Sequence, residues 1–231
     1  MEWLVAYNFN RARRPQRVLQ DRLDPLHISD RNLIRHYRFP RHEIIRIIAE
    51  LGPQLRRATN RSHAVSTNTQ VLVALRFYAS GSFQNVLADT AGLCQASISN
   101  IITAVTEILA EKAKNEIRMP QGLAAINDTI QNFATIKNFP RVIGVIDGTH
   151  IPIKAPSVNE HIYVNRKHFH SLNVQVICDS KQLILNYCCK YPGSTHDAFI
   201  WANCLVRERF VGGEFGPALL LGEYYVVQGE L

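Results

Sequence analysis

At Pro140 the hydrophobic pattern of this chain changes period, and that change constrains the fold more than any other feature. Before it, apolar residues recur at helical spacing. After it they fall into short runs rich in β-branched residues: Val142 to Ile146, Ile151 to Ile153, "SLNVQVICD" and "LILNYCCKY". Asn138-Phe139-Pro140 ends the last helix of the first part, because a residue preceding proline is pushed out of the α region. Asp-Gly, polar and Pro-Gly punctuation separates the runs, and Asp147-Gly148 carries a strong tight-turn signal. A helix is expected from His196 to about Phe210, then one more strand in "ALLLGEYYVV". Several strands, a helix and a returning strand predict an α/β domain with a mixed sheet over residues 139–231.

The helical part divides by composition. Residues 1–60 are a basic segment containing Arg11, Arg13, Arg14 and Arg17, then Arg31, Arg35, Arg38, Arg41, Arg46, Arg56 and Arg57. A helix after "YRFPR" presents Ile44, Ile45, Ile47 and Ile48. Residues 61–138 are expected as a helical, helix-turn-helix-like region: the pattern is helical from Ser62 to Lys114, and after a Pro and Gly break in "RMPQG" another helix is expected to about Lys137. The stretch "STNTQVLVALRFYASG" has an N-cap at Ser66 or Thr67 and a stop at Gly81. A shorter helix closes at Gly92. The next, "CQASISNIITAVTEILAEKAKN", carries Ile98, Ile101, Ile102, Val105, Ile108 and Leu109 along one stripe. Helix, glycine turn and helix with a polar start is the layout of a helix-turn-helix. It points Gln95, Ser97, Ser99 and Asn100 toward DNA base edges, although any three-helix bundle shares the periodicity.

The formal charge of +7 over 231 residues favours a polyanionic partner. Five cysteines without metal-ligand spacing fit buried thiols in a reducing compartment. No run reaches the roughly twenty apolar residues of a membrane span, so an intracellular protein without a membrane partner is expected. A phosphate-binding G-x-x-x-x-G-K-[ST] loop and a G-x-S-x-G elbow are both missing, which disfavours nucleotide hydrolysis and serine-hydrolase chemistry.

Three carboxylates occupy comparable positions. Asp147 ends an apolar strand, Asp197 follows the "YPGSTH" turn at a helix start, and Glu223 follows a strand in "LLLGE". Converging carboxylates repel each other unless a cation joins them, and hard oxygen ligands suit Mg2+ or Mn2+. Such a site can activate water and stabilise the leaving oxygen in phosphodiester hydrolysis. Each acid also has a plainer reading: a turn residue at Asp147, a helix cap at Asp197, an exposed residue at Glu223. His150 and His196 are the nearest histidines, and hydrogen-bonded structural roles suit them.

The blocks "RFYASGSFQNVLADTAGLCQASISNII", "VIGVIDGTHIPIKAP", "YVNRKHFHSLNVQVICD" and "YPGSTHDAFIW" resemble the Harbinger transposase-derived nucleases, relatives of PIF/Harbinger transposases, from about Arg38 to Gly222. The resemblance implies an all-α helix-turn-helix-like region preceding an RNase H-like DDE nuclease domain that uses acidic residues and a divalent metal, Mg2+ or Mn2+. It implies catalytic and metal-binding roles for Asp147 and Asp197, and for Glu223 where the family usually has aspartate. It implies DNA as substrate, a Myb/SANT-like DNA-binding partner, and a place in nucleus and cytoplasm. Arg166 and Lys167 in "YVNRKHFH" are expected at the phosphate backbone, with a solvated loop as the alternative. After Gly222 the sequence leaves the family pattern, and no residue matches the family's last catalytic glutamate. A C-terminally truncated chain is therefore expected, as either a nuclease or an inactive DNA- or protein-binding adaptor.

Overall fold

The helix of residues 30–37 follows Ser29, an extended residue, and has Asp30 in its first turn where the helix dipole favours an acid. This first element, in a computed structural model that describes residues 25–56, 64–137, 139–222 and 226–228, is α1, Asp30–Tyr37. It turns the fully buried Leu33 inward, with Tyr37 packed partly against the same core. Helix α2, Arg41–Leu55, buries Ile44, Leu51 and Leu55, while Ile45 is exposed. Ser66 caps α3, Thr67–Ser80, by accepting the Thr69 N–H at 3.2 Å, and Gly81 closes it in the left-handed conformation. Residues Gln70 to Leu75 are all buried, so α3 is the central helix of its layer. Helix α4, Gln84–Ala91, ends at Gly92, and α5, Gln95–Glu116, buries Ile98, Ile101, Ile102 and Val105. The two meet at 104° across a three-residue break, within the range of helix-turn-helix pairs.

The chain forms two compact units, residues 1–112 and 113–231. The division falls at Lys112/Ala113 rather than at residues 60 and 138. Leu33, Ile44 and Leu51 share one core with Val71, Leu87 and Ile98, so helices on both sides of residue 60 form one bundle. Met119 and Ile126 instead join the core of the sheet. Among the described residues no single helix is long and apolar enough to cross a membrane.

In the second unit, α6, Gly122–Lys137, leads to a five-stranded mixed sheet. Its strands are β1, Val142–Pro152, β2, Ser171–Cys178, β3, Ile184–Pro192, β4, Leu219–Gly222, and β5, Val226–Gln228, in the order β3-β2-β1-β4-β5. β1 is antiparallel to β2 and parallel to β4, and helices α7, Asp197–Ala202, and α8, Leu205–Val211, make the crossover between β3 and β4. This is the α/β, RNase H-like arrangement expected.

Three local expectations are corrected. No turn interrupts β1 at Asp147-Gly148: the strand pairs with β2 from Val145↔Cys178 to Pro152↔Ser171, and the long ladder overrides the dipeptide signal. The helix expected over 196–210 is two, because the Asn203 side chain donates to the Phe199 carbonyl at 2.8 Å and Cys204 is extended and buried. The last expected strand is an antiparallel pair, β4 and β5.

Candidate metal centre

Asp147 lies on β1, exposed, with its Oδ1 accepting the Gly148 N–H at 2.8 Å. The parallel ladder with β4 runs as far as Ile146↔Gly222, so Asp147 is the first β1 residue beyond that pairing. Strand alternation turns the Asp147 and Gly148 positions to opposite faces.

Gly148 is a glycine for a reason other than a turn. A Cβ there would lie 2.6 Å from Asp197 Oδ1, 2.8 Å from its Cγ and 2.9 Å from its Oδ2. The Asp197 carboxylate therefore rests directly on the backbone of the residue next to Asp147, an approach only glycine allows. Asp197 is the first residue of α7 and is not its cap: His196 fills that role, its Nδ1 accepting the Ala198 N–H at 3.2 Å.

Asn173 holds the acid in place. Its Nδ2 donates to Asp197 Oδ1 at 2.6 Å and to the Thr195 carbonyl at 2.8 Å. Both partners are acceptors, so the amide must present its NH2 to them. That leaves Oδ1, buried and without a hydrogen-bond partner, as a free acceptor for a water or a cation. Asn173 is 2% exposed and pairs in register with His150. His150 in turn has Nδ1 3.1 Å from Ser171 Oγ, which receives the Asn165 amide at 2.9 Å. The "YPG" glycine allows a second close approach in the same turn, since a Cβ on Gly193 would lie 2.3 Å from Ser171 Oγ and 2.6 Å from the Tyr163 carbonyl.

Asp197 is thus brought against Gly148, beside Asp147 in the chain, with the carboxamide of Asn173 at its back. Glu223 lies outside the described residues. Among the described residues no group of three or more His, Cys, Asp or Glu side chains is placed to hold a metal ion. Asp197 and the free Asn173 Oδ1, on the Gly148 face, are oxygen donors that suit Mg2+ or Mn2+ chemically, whereas alternation along β1 turns Asp147 to the other face. Arg166 and Lys167 are exposed at the tip of a loop that Asn165 braces, its Oδ1 accepting the Lys167 N–H at 2.9 Å. Gln95 and Asn100 are exposed at the start of α5, where Gln95 donates to Gln84 Oε1 at 2.7 Å; Ser97 and Ser99 are half-buried.

Reading the sequence alone misses Asn173. Its signal is an asparagine, a serine and a glutamine alternating through "SLNVQV", which looks like a solvated strand face and is a covered one.

Residues 146–227 match the DDE superfamily endonuclease family, a span that begins one residue before Asp147. The chain is 39% identical over 196 residues to the Homo sapiens protein named "Putative nuclease HARBI1", covering 85% of this chain and 56% of that protein. It is 41% identical over 188 residues to the Xenopus laevis protein of the same name, covering 81% of this chain and 53% of that one. An Arabidopsis thaliana protein named "Protein ALP1-like" is 28% identical over 146 residues, 62% of this chain and 35% of its own length. The chain spans about half the length of the animal relatives. No solved structure matches it. On the endonuclease match and the identity to these relatives, the chain belongs to the Harbinger transposase-derived nuclease family.

Proposed function

We propose that this chain supplies the catalytic domain of a metal-dependent nuclease that hydrolyses DNA phosphodiester bonds, with Asp147, Asp197 and Glu223 as the carboxylates that hold Mg2+ or Mn2+. The observation that carries this reading is the Asp197 carboxylate, held by Asn173 against Gly148 inside the endonuclease match. A divalent ion bound there would lower the pKa of a bound water and stabilise charge on the phosphoryl oxygens.

The chain's own residues do the positioning. Asn173 fixes the Asp197 carboxylate with one charge-assisted hydrogen bond and ties it to the Thr195 carbonyl, so the α7 start cannot swing away from the sheet. Asp147 is carried on the central strand of the sheet, a rigid element that keeps its backbone position fixed. Arg166 and Lys167 contact the phosphate backbone from their braced loop, and Gln95, Ser97, Ser99 and Asn100 address the duplex from α5.

The test is calorimetric titration of Mn2+ into the 231-residue chain and its Asp147→Asn variant, with supercoiled plasmid incubated under the same conditions. Metal binding and nicking that are both lost in the variant support the assignment. Unchanged nicking by Asp147→Asn would sink it. A folded chain that takes up no metal yet binds DNA in a salt-dependent way would also overturn it, and would fit an adaptor acting with a Myb/SANT-like partner.

A further inference from the structure

We infer that the exposed face of α1 is a phosphate-contacting surface for the backbone of duplex DNA, built from Arg31, Arg35 and Arg38. The three residues stand at i, i+4 and i+7, which places them on one side of the helix opposite the buried Leu33. With Asn32 and Ile34 they line an open concavity of about 670 Å³. All three are exposed, and among the described residues none of their guanidinium groups has a hydrogen-bond or ion-pair partner.

Other arginines of the same unit are committed to the fold. Arg41 donates to the carbonyls of Leu26 and Ile28 and pairs with Asp30 at 2.7 Å. Arg46 pairs with Glu43 at 2.7 Å, and Arg76 donates to the His36 carbonyl at 3.2 Å. Three unpaired like charges on adjacent turns disfavour one another until an anion lies across them.

Arg38 adds an independent sign. It closes α1 in the left-handed conformation, φ 65° and ψ 9°. The corresponding positions after α3 and α4 are Gly81 at φ 61° and Gly92 at φ 59°, the residue that conformation favours. At the end of α1 the chain places a long cation instead.

The choice of DNA over another polyanion rests on the nuclease reading above. The spacing agrees with it. Arg31 to Arg38 covers about 10 Å of helix axis at 1.5 Å per residue. One DNA strand offers roughly three phosphates over that length of duplex axis, at about 3.4 Å of axial rise each.

The test is fluorescence anisotropy of a short labelled duplex with the full chain in EDTA, between about 50 and 200 mM salt. Each of Arg31→Gln, Arg35→Gln and Arg38→Gln should reduce the slope of log affinity against log salt by about 1, equally on unrelated sequences. Lys181→Gln, in the turn between β2 and β3, should leave the slope unchanged. Arg38→Gly should lower the slope while raising the melting temperature by roughly 2 °C, a pairing that a structural arginine cannot give. A triple Gln variant that melts like the parent and keeps its slope would overturn the inference. So would tighter binding of poly-glutamate than of the duplex, which would make the face a protein-docking surface. Because EDTA suppresses cleavage, a failed nicking assay leaves this result untouched, and a lost slope effect says nothing against the nuclease.

Discussion

Gly148 and Asn173 between them set where the Asp197 carboxylate can be. The absent Cβ of Gly148 leaves the space, and the Asn173 amide fills the hydrogen bond at 2.6 Å. Gly148→Ala must therefore move a carboxylate that is pinned at its back. We expect a loss of about 1–3 kcal/mol of stability in urea unfolding, the usual range for overpacking, together with weakened Mn2+ binding. Asn173→Leu keeps the volume but strips two donors from the Thr195 carbonyl and Asp197. A cost of about 1–3 kcal/mol is expected, with the chain still folded and its Mn2+ titration flattened. A variant that binds Mn2+ as the parent does would show that Asn173 only stabilises the fold. Asp147 and Asp197 stand out as candidates in the sequence, one as a carboxylate inside an apolar run and the other as an acid at a helix start, although β1 continues through Asp147 to Pro152. Asn173 does not, because its partner lies 24 residues further on and only the sheet register brings the two together.

At the scale of elements, what reads correctly is what local chemistry decides. Ser66, Gly81 and Gly92 start and stop their helices as their side chains and backbone freedom require. What reads incorrectly is decided at long range. The Asp147-Gly148 turn signal yields to an antiparallel ladder with β2, and β2 itself inverts the usual meaning of alternation. Its period of two is plain in the sequence, yet the polar Ser171, Asn173 and Gln175 are covered, at 0%, 2% and 3% exposure, along with Val174 and Ile177, while Leu172 and Val176 are only half-buried. The polar three are tolerated there because each is hydrogen-bonded, to Asn165, to Thr195 and Asp197, and to Cys204 respectively. The end of α8 illustrates a smaller, titratable element. Arg209 grips Glu214 with two hydrogen bonds, 2.7 and 2.5 Å, and its guanidinium lies 5.1 Å above the Phe215 ring. The hydrogen bond from Arg209 lowers the Glu214 pKa from its ordinary value. A lowered folded-state pKa means the contribution is present above the unfolded carboxylate pKa and is lost as pH falls through the folded value. The pair is largely solvent-exposed, so the contribution is at most about 1 kcal/mol. Glu214→Gln should cost that much in urea unfolding at neutral pH. The difference from the parent should vanish once pH falls below the folded pKa.

At the scale of the whole molecule, the two units own separate hydrophobic cores. One gathers Leu33, Ile44, Val71 and Ile98 around α3, and the other gathers Ile143, Ile177, Phe210 and Leu220 beneath the sheet. Among the described residues no buried residue belongs to both sets, although α5 runs across the division at Lys112/Ala113. Cooperative unfolding follows shared burial, so each core should melt as its own transition. Ile98 and Leu220 are both fully buried, and truncating either to alanine removes several methyl groups from a close-packed site at about 2–5 kcal/mol. In scanning calorimetry of the full chain we expect Ile98→Ala to lower one transition and leave the other in place, with Leu220→Ala doing the reverse. Mn2+ should raise only the transition that Leu220→Ala lowers, because a ligand stabilises the unit whose folded state binds it. A single transition displaced equally by both substitutions would mean that the continuous helix couples the cores into one folding unit. The basic bundle and the acidic site would then rise and fall in stability together, and a destabilised bundle would cost the nuclease its site.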